Sequence, residues 1–527
     1  MNRDRPIDLL LRGGRVLDGT GAPAVQADVV VAGDRIVAIT GPGQLDDVAA
    51  IRVADVGGSM IAPGFIDVHT HTDVLAFLPG HDEIHTASVR QGVTTELCGN
   101  CGFSPFPADP AAGLDRDPYL SALGAGVARP FTRLADYREA MSVMALPVNR
   151  APLIGHATLR AGVVGYEDRA PTADELARMR RLLEQALDDG AFGMSTGLVY
   201  PPGQFAATEE LIALGEVLHR HGRRYTSHLR DEIDHVVEAV EEALRIGREA
   251  GVGIQISHHK VAGARYRGRA DVTLELIEQA RADGVDVTID VYPYSAASTL
   301  LAALLPPWAN AGTLTERNTR LRDRVARDRI RMQHEHGSPG WQDFAAACGW
   351  HGVVLTDHPA HTGRSIAELA EGGDSWDTVC DLLLDEPTLT CVLHMMAMDD
   401  VVEMSRQPWA MVGSDGLPTP GRQHPRVAGT FARTLAAARD DRDLADRVRR
   451  MTSLPARTFG LRDRGELRVG AVADIVVFDD LAVTDEATYD DPWVPPMGIA
   501  LVVVAGIVVV DHGHDTGARP GTVLVAQ

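Results

Sequence analysis

Lysine is all but missing from this chain: Lys260 stands alone among 527 residues, and the other 49 of the 50 strongly basic positions are arginine. Cations of both kinds are outnumbered by 73 aspartates and glutamates, which gives a formal charge of −23. Such a surface repels a polyanion and argues against nucleic acid as a partner. Cysteine is scarce as well: five in so long a chain is too few, and odd in number, for a disulfide framework, so reduced thiols are expected. Long apolar runs are lacking. The longest, Ile499 to Val510, covers about 12 residues and is broken by glycine, against the ~20 that a bilayer span needs. The opening MNRDRPIDLLLRGG reads as charge followed by a short strand rather than a secretory leader, so a soluble, cytoplasmic protein without a membrane partner is expected.

What is present is a globular composition, 45% apolar and 23% charged. The length exceeds a usual single core, which predicts one large domain and a smaller companion. Residues 1–62 read as short β segments, DLLLRGGRVLDG, ADVVVAGDRIVAIT and RVADVGGSMIAPG, and the same texture returns over 465–527 in ELRVGAVADIVVFD, ALVVVAGIVVVDHG and TVLVA. Neither end carries many strands alone, so the two are expected to close into one small β-sandwich. Between them, over 63–464, β-branched runs alternate with amphipathic helical segments such as TADELARMRRLLEQALDDG and DEIDHVVEAVEEALRIGREAG, each ending at glycine. The strand candidates are MIAPGFIDVHTH, GVTTELCGNC, RAPLIGHATL, GAFGMSTGL, RRYTSHL, GIQISHHK, DVTIDVYPY and WAMVGSDG. Eight such units predict an α/β fold, a (β/α)8 barrel, with an open doubly wound sheet as the alternative. HGVVLTDHP and LTCVLHMM are two strand candidates too many, and the arginine-rich stretch at about 306–350 reads as an insertion able to cover the site.

Chemistry gathers at the strand ends. In GFIDVHTHTD, His69 and His71 are two residues apart and share one face of an extended chain. His228 ends RRYTSHL, His258 ends GIQISHHK and Asp415 ends WAMVGSDG, and barrel sites are built where strands end. Four imidazoles and a carboxylate at one focus suit a borderline divalent ion such as zinc. Cys98-Gly-Asn-Cys101 could be a redox pair, but the loop GFSP follows where a redox pair would open a helix, and a thiolate metal ligand fits better.

These stretches, together with QGVTTELCGNCGFS, GHATLR, GAFGMSTGLVYPPG, DVYPYSAAST and GSDG followed by HPRVAGTF, resemble the D-aminoacylase (N-acyl-D-amino-acid deacylase) branch of the metal-dependent amidohydrolases over nearly the whole chain. The resemblance implies that Cys101, His228 and His258 hold a tight zinc ion. It implies a second, weaker position among His69, His71 and Asp415, and a cysteine in place of the carbamylated lysine of many relatives. Cys98 has no such role. It also implies Tyr292, Ser298 and Arg426 on the substrate carboxylate and Tyr200 near the scissile carbonyl.

Asp415 is the candidate for proton transfer between the attacking water and the leaving amine. Lys260 lies two residues after His258 and so faces inward, where a compact ammonium fits a crowded pocket better than a guanidinium; it is expected on the substrate carboxylate. The apolar run TLLAALLPPW after Ser298 predicts a pocket wall that favours hydrophobic side chains. The rivals are a cyclic-amide hydrolase, whose bridging lysine GAFGMSTGL lacks, a non-catalytic scaffold, and a CxxC oxidoreductase.

Overall fold

The computed structural model describes residues 7–44, 50–73, 75–78, 80, 82–107, 131–338, 340–419 and 421–527. Eight segments form the inner layer of a barrel: Phe65–Asp67, Val93–Cys98, Asn149–Pro152 continuing through Ile154–Gly155, Gly193–Gly197, Arg224–His228, Ile254–Ile256, Val287–Val291 and Ala410–Val412. Their pairings are parallel throughout. Every residue of these strands is buried, as expected when helices cover the outer face of a parallel sheet. The helices between them follow the sequence signals: Ala173–Asp188 starts at a Thr172/Glu175 capping box, and Val236–Ala250 stops at Gly251 with φ 66°.

The barrel closes through Asp67. Its Oδ1 accepts from the backbone N–H of Ser414 at 2.9 Å and of His69 at 3.1 Å, tying the first strand to the eighth. Just beyond, Asp415 N donates to His69 O and His71 N to Gly416 O. The sealing bonds therefore hold the residues that carry His69, His71 and Asp415.

Three local readings change. MIAPGFIDVHTH is two strands, not one: Met60–Pro63 belongs to the terminal sheet and Phe65–Asp67 to the barrel. The chain breaks at Gly64, where a Cβ would sit 2.2 Å from the Thr94 side chain. RAPLIGHATL turns into a helix, His156–Ala161. The surplus strands, Val353–Leu355 and Thr390–His394, never enter the barrel; Thr390–His394 pairs antiparallel with Ala296–Leu300 on one side and with Val353–Leu355 on the other, as a separate small sheet. Of the helices between Pro307 and Cys348, Phe344–Cys348 packs against the Thr390–His394 strand of that sheet.

Both chain ends build one nine-stranded sheet, in which Met60–Pro63 pairs with Ile475–Phe478. The strand Arg35–Thr40 returns to bond at Ala471 and Val472, so the sheet curls around a core of Leu9, Leu11, Val29, Ile61, Ile475 and Val503. Phe478 of this sheet packs against Phe65 of the barrel (centroids 6.4 Å), and Phe65 stacks on Phe431 at 5.8 Å. Each buried ring contributes roughly 1.5–3 kcal/mol, enough to fasten the two units together. None of the described helices is long and apolar enough to cross a membrane.

Candidate active site

At the C-terminal end of the barrel, side chains from five strand ends meet. Cys101 Sγ lies 3.3 Å from His69 Nε2, 3.6 Å from His228 Nδ1 and 3.5 Å from His258 Nε2. His71 Nε2 and His69 Nε2 stand 3.2 and 3.4 Å from Asp415 Oδ1. All six expected ligands thus fall in one cluster. A tetrahedral zinc with Zn–S near 2.3 Å and Zn–N near 2.1 Å separates sulfur and nitrogen by about 3.6 Å, which is the spacing around Cys101. His228 Nδ1 and His258 Nε2, at 2.9 Å, are closer than the roughly 3.4 Å between two nitrogens of such a site. The donor set, one thiolate with imidazoles and a carboxylate, is that of a borderline divalent ion.

The backbone carries the mark of this convergence. Among the described residues seven non-glycine positions have positive φ, and three are Cys101 (51°), His258 (35°) and Asp415 (50°). A left-handed residue with a Cβ is costly, by about 1–2 kcal/mol, and glycine would be relaxed there; the side chain is what the site requires. None of the four histidines lies inside a regular strand except His228, which ends one; the others sit just past strand ends, where such turns aim them.

Electrostatics follow from burial against charge. Burial pushes the Cys101 thiol up, but the imidazoles of His69, His228 and His258 outweigh it and hold Cys101 well below the usual thiol range. Burial likewise opposes ionisation of Asp415, and Arg426, His258, His69 and His71 overcome it, leaving the carboxyl well below its ordinary value. For His71, burial favours the neutral ring, while Asp415 and Cys101 raise its pKa to about 9. Cys98 is different: fully buried beside Asp73, its thiol is pushed well up and stays protonated.

The expected substrate contacts line the same cleft or abut it. Lys260 is buried in the wall, and His259 points away to Thr273 Oγ1 at 2.9 Å, as the alternation requires. The Lys260 ammonium donates to Glu232 Oε1 at 2.7 Å and also lies 2.7 Å from His258 Nδ1. Arg426 opens the helix Arg426–Ala436, with Nη1 2.8 Å from Asp415 Oδ2 and Nη2 donating to Ser298 O at 3.2 Å. Its guanidinium covers the Tyr292 ring at 4.7 Å. The Tyr292 hydroxyl, Ser298 Oγ and Arg426 Nε are buried polar atoms with no hydrogen-bond partner. Tyr200, in the wall, shares a 2.9 Å hydrogen bond with Thr299 Oγ1. The strand Ala296–Leu300 supplies Ala297, Ser298, Thr299 and Leu300 to the lining, and Phe103 and Leu417 complete its apolar part.

Two acidic residues escaped the sequence reading. Glu232 faces His228 Nε2 at 3.6 Å, His258 Nδ1 at 3.2 Å and Lys260. Asp290 accepts from His258 N at 2.9 Å and stands 3.5 Å from His69 Nδ1. Asp290 is the penultimate residue of the seventh strand, Val287–Val291, and could have been marked as a carboxylate near a strand end; Glu232 lies in a loop, with only its i+4 spacing from His228 as a signal.

Known proteins resemble this chain over nearly its whole length. The amidohydrolase family profile matches residues 52–510. A D-aminoacylase of Alcaligenes xylosoxydans xylosoxydans is 40% identical over 99% of this chain and 98% of its own length, and an N-acyl-D-aspartate deacylase of the same organism is 39% identical over 98% and 95%. The crystal structure of an N-acyl-D-glutamate deacylase from Bordetella bronchiseptica, complexed with zinc and a phosphonate mimic of the tetrahedral intermediate, is 37% identical and superposes with a TM-score of 0.83, covering 99% of this chain and 100% of that one.

Proposed function

This chain belongs to the amidohydrolase family, and from that premise we propose that it is a zinc-dependent deacylase, hydrolysing the amide of N-acyl-D-amino acids to a carboxylate and a free D-amino acid. The observation that carries the reading is the buried meeting of Cys101, His228, His258, His69, His71 and Asp415 beside a cleft holding three unsatisfied polar groups suited to a carboxylate. Cys101, His228 and His258 would hold the tighter ion, and His69, His71 and Asp415 the weaker position. Zinc, when bound, supplies Lewis acidity to the amide and acidifies water at the site.

The chain's own groups do the rest. Asp415, kept ionised by Arg426 and the histidines, accepts a proton from the attacking water at its carboxylate and returns it to the departing nitrogen. Arg426, Tyr292 and Ser298 take the substrate carboxylate, with Lys260 beside them, so that cations local to the cleft receive an anion despite the acidic surface. Tyr200, steadied by Thr299, faces the scissile carbonyl. The fourth strand, Gly193–Gly197, has no lysine to bridge two ions, which disfavours the cyclic-amide reading.

The side-chain end of the cleft would select hydrophobic residues. Phe103, Ala297, Leu300 and Leu417 line it, and its two cations, Lys260 and Arg426, are taken up by the substrate's own carboxylate in this reading. The test is an assay of N-acetyl-D-leucine, N-acetyl-D-glutamate and their L forms, before and after chelation, with zinc measured per chain. Chelation should abolish hydrolysis and added zinc restore it; activity untouched by metal removal refutes the deacylase, and equal kcat/KM for leucine and glutamate refutes the preference. The unpaired state of all five cysteines supports a reducing, cytoplasmic setting, which cell fractionation would check.

A further inference from the structure

We infer that Glu232 is a positioning residue that couples retention of the metal ion to capture of the substrate carboxylate, an inference that rests on the deacylase reading above. Glu232 is buried, at 2% exposure, and anchored by its backbone: its N–H donates to Gln342 Oε1 at 3.2 Å and its carbonyl accepts from Ala262 N at 2.9 Å. Its two carboxylate oxygens face different imidazoles. Oε1 stands 3.2 Å from His258 Nδ1 and Oε2 stands 3.6 Å from His228 Nε2.

Each of these is the outer nitrogen of its ring; the inner ones, His258 Nε2 and His228 Nδ1, face Cys101 Sγ. A ring that offers its inner nitrogen to a cation must carry its hydrogen on the outer one, and an outer carboxylate accepts that hydrogen and fixes the ring's orientation. Glu232 thus stands behind both imidazoles, within reach of the His258 hydrogen at 3.2 Å, while His228 Nε2, at 3.6 Å, has no hydrogen-bond partner and would need a small closing movement to gain one.

Lys260 joins the two halves of the site. Its ammonium is 2.7 Å from Glu232 Oε1 and 2.7 Å from His258 Nδ1. When His258 Nδ1 carries a hydrogen for Glu232, that nitrogen no longer accepts from Lys260. The ammonium then keeps Glu232 as its acceptor, and its remaining hydrogens turn to the cleft it lines, toward the unsatisfied Ser298 and Tyr292 hydroxyls where a carboxylate would sit. Metal loading therefore sets the tautomer of His258, and through Glu232 that tautomer readies Lys260.

The test uses the full-length protein, zinc competition with a chelator, and calorimetric binding of 4-methylpentanoate, a carboxylate with the leucine side chain and no amide. Glu232→Gln keeps the shape but replaces one acceptor oxygen with a donor. It should release zinc at chelator concentrations about 10–100-fold lower than the unaltered protein, and weaken the probe by about tenfold, the worth of one charge-assisted contact. Lys260→Met should weaken the probe equally, and the double variant no more than either single one. Zinc should tighten probe binding in the unaltered protein and not in Lys260→Met, an arm that stands even if Glu232→Gln fails to fold. Unchanged zinc retention or probe affinity in Glu232→Gln, losses that multiply in the double variant, or a zinc effect that survives Lys260→Met would each overturn the coupling. Hydrolysis of N-acetyl-D-leucine is scored separately, and its absence rejects the deacylase reading while these binding results still decide the coupling.

Discussion

Asp415 and Arg426 form a buried ion pair, Oδ2 to Nη1 at 2.8 Å, while the other oxygen of the same carboxylate faces His71 and His69. One side chain is therefore divided between the group expected to hold the substrate and the groups expected to hold a metal. Asp415→Asn keeps the shape and removes the proton acceptor. It should lower kcat by about 10²–10⁴-fold while KM changes far less, with one zinc retained per chain, measured by steady-state kinetics beside metal analysis. An unimpaired kcat would remove Asp415 from the chemistry.

The two cysteines of CGNC should separate cleanly. Cys101→Ser replaces a thiolate held by three imidazoles and should lose both zinc and activity. Cys98→Ser alters a protonated thiol away from the cluster and should keep both. Loss of activity in both variants would revive the redox reading.

Metal-free protein should lose stability as pH rises toward 9. The folded pKa of His71, about 9, lies above the ordinary value of 6.5, so the folded state binds the extra proton between them. That contribution is complete below about pH 6.5 and is lost as pH rises through 9, on the order of 3 kcal/mol in total. Urea denaturation of chelated protein at pH 6 and pH 9.5 measures it. A flat profile would mean that Asp415 and Cys101 do not charge this ring.

Gly413→Ala should damage the site without replacing a ligand. A Cβ there would stand 2.6 Å from Asp290 Oδ2 and 2.7 Å from His69 Cβ, so one of the two must move. We expect kcat to fall by about tenfold or more, since small displacements of positioned groups are costly, with little change in the denaturation midpoint. Wild-type kcat would show that His69 tolerates the shift.

Much of this was legible because local rules act on neighbours in sequence. Each of the eight barrel strands overlaps one of the segments expected from sequence, and the helices announce themselves by Thr172, Glu175 and Gly251. The strands Val353–Leu355 and Thr390–His394 look no different in sequence from barrel strands; only their antiparallel pairing with each other and, through Thr390–His394, with Ala296–Leu300 excludes them. Strand pairing is a long-range choice that a local pattern does not encode.

The sequence by itself determined the fold class and the cast of metal-ligand types, since strand ends and residue chemistry are written along the chain. Tertiary structure decided who stands behind whom. The left-handed turns at Cys101, His258 and Asp415, the sharing of Glu232 by two histidines and the only lysine, and the division of Asp415 between Arg426 and His71 all depend on strands brought together from distant positions. Burial makes those partnerships consequential, because away from water each charge must find its counterpart within a few ångströms.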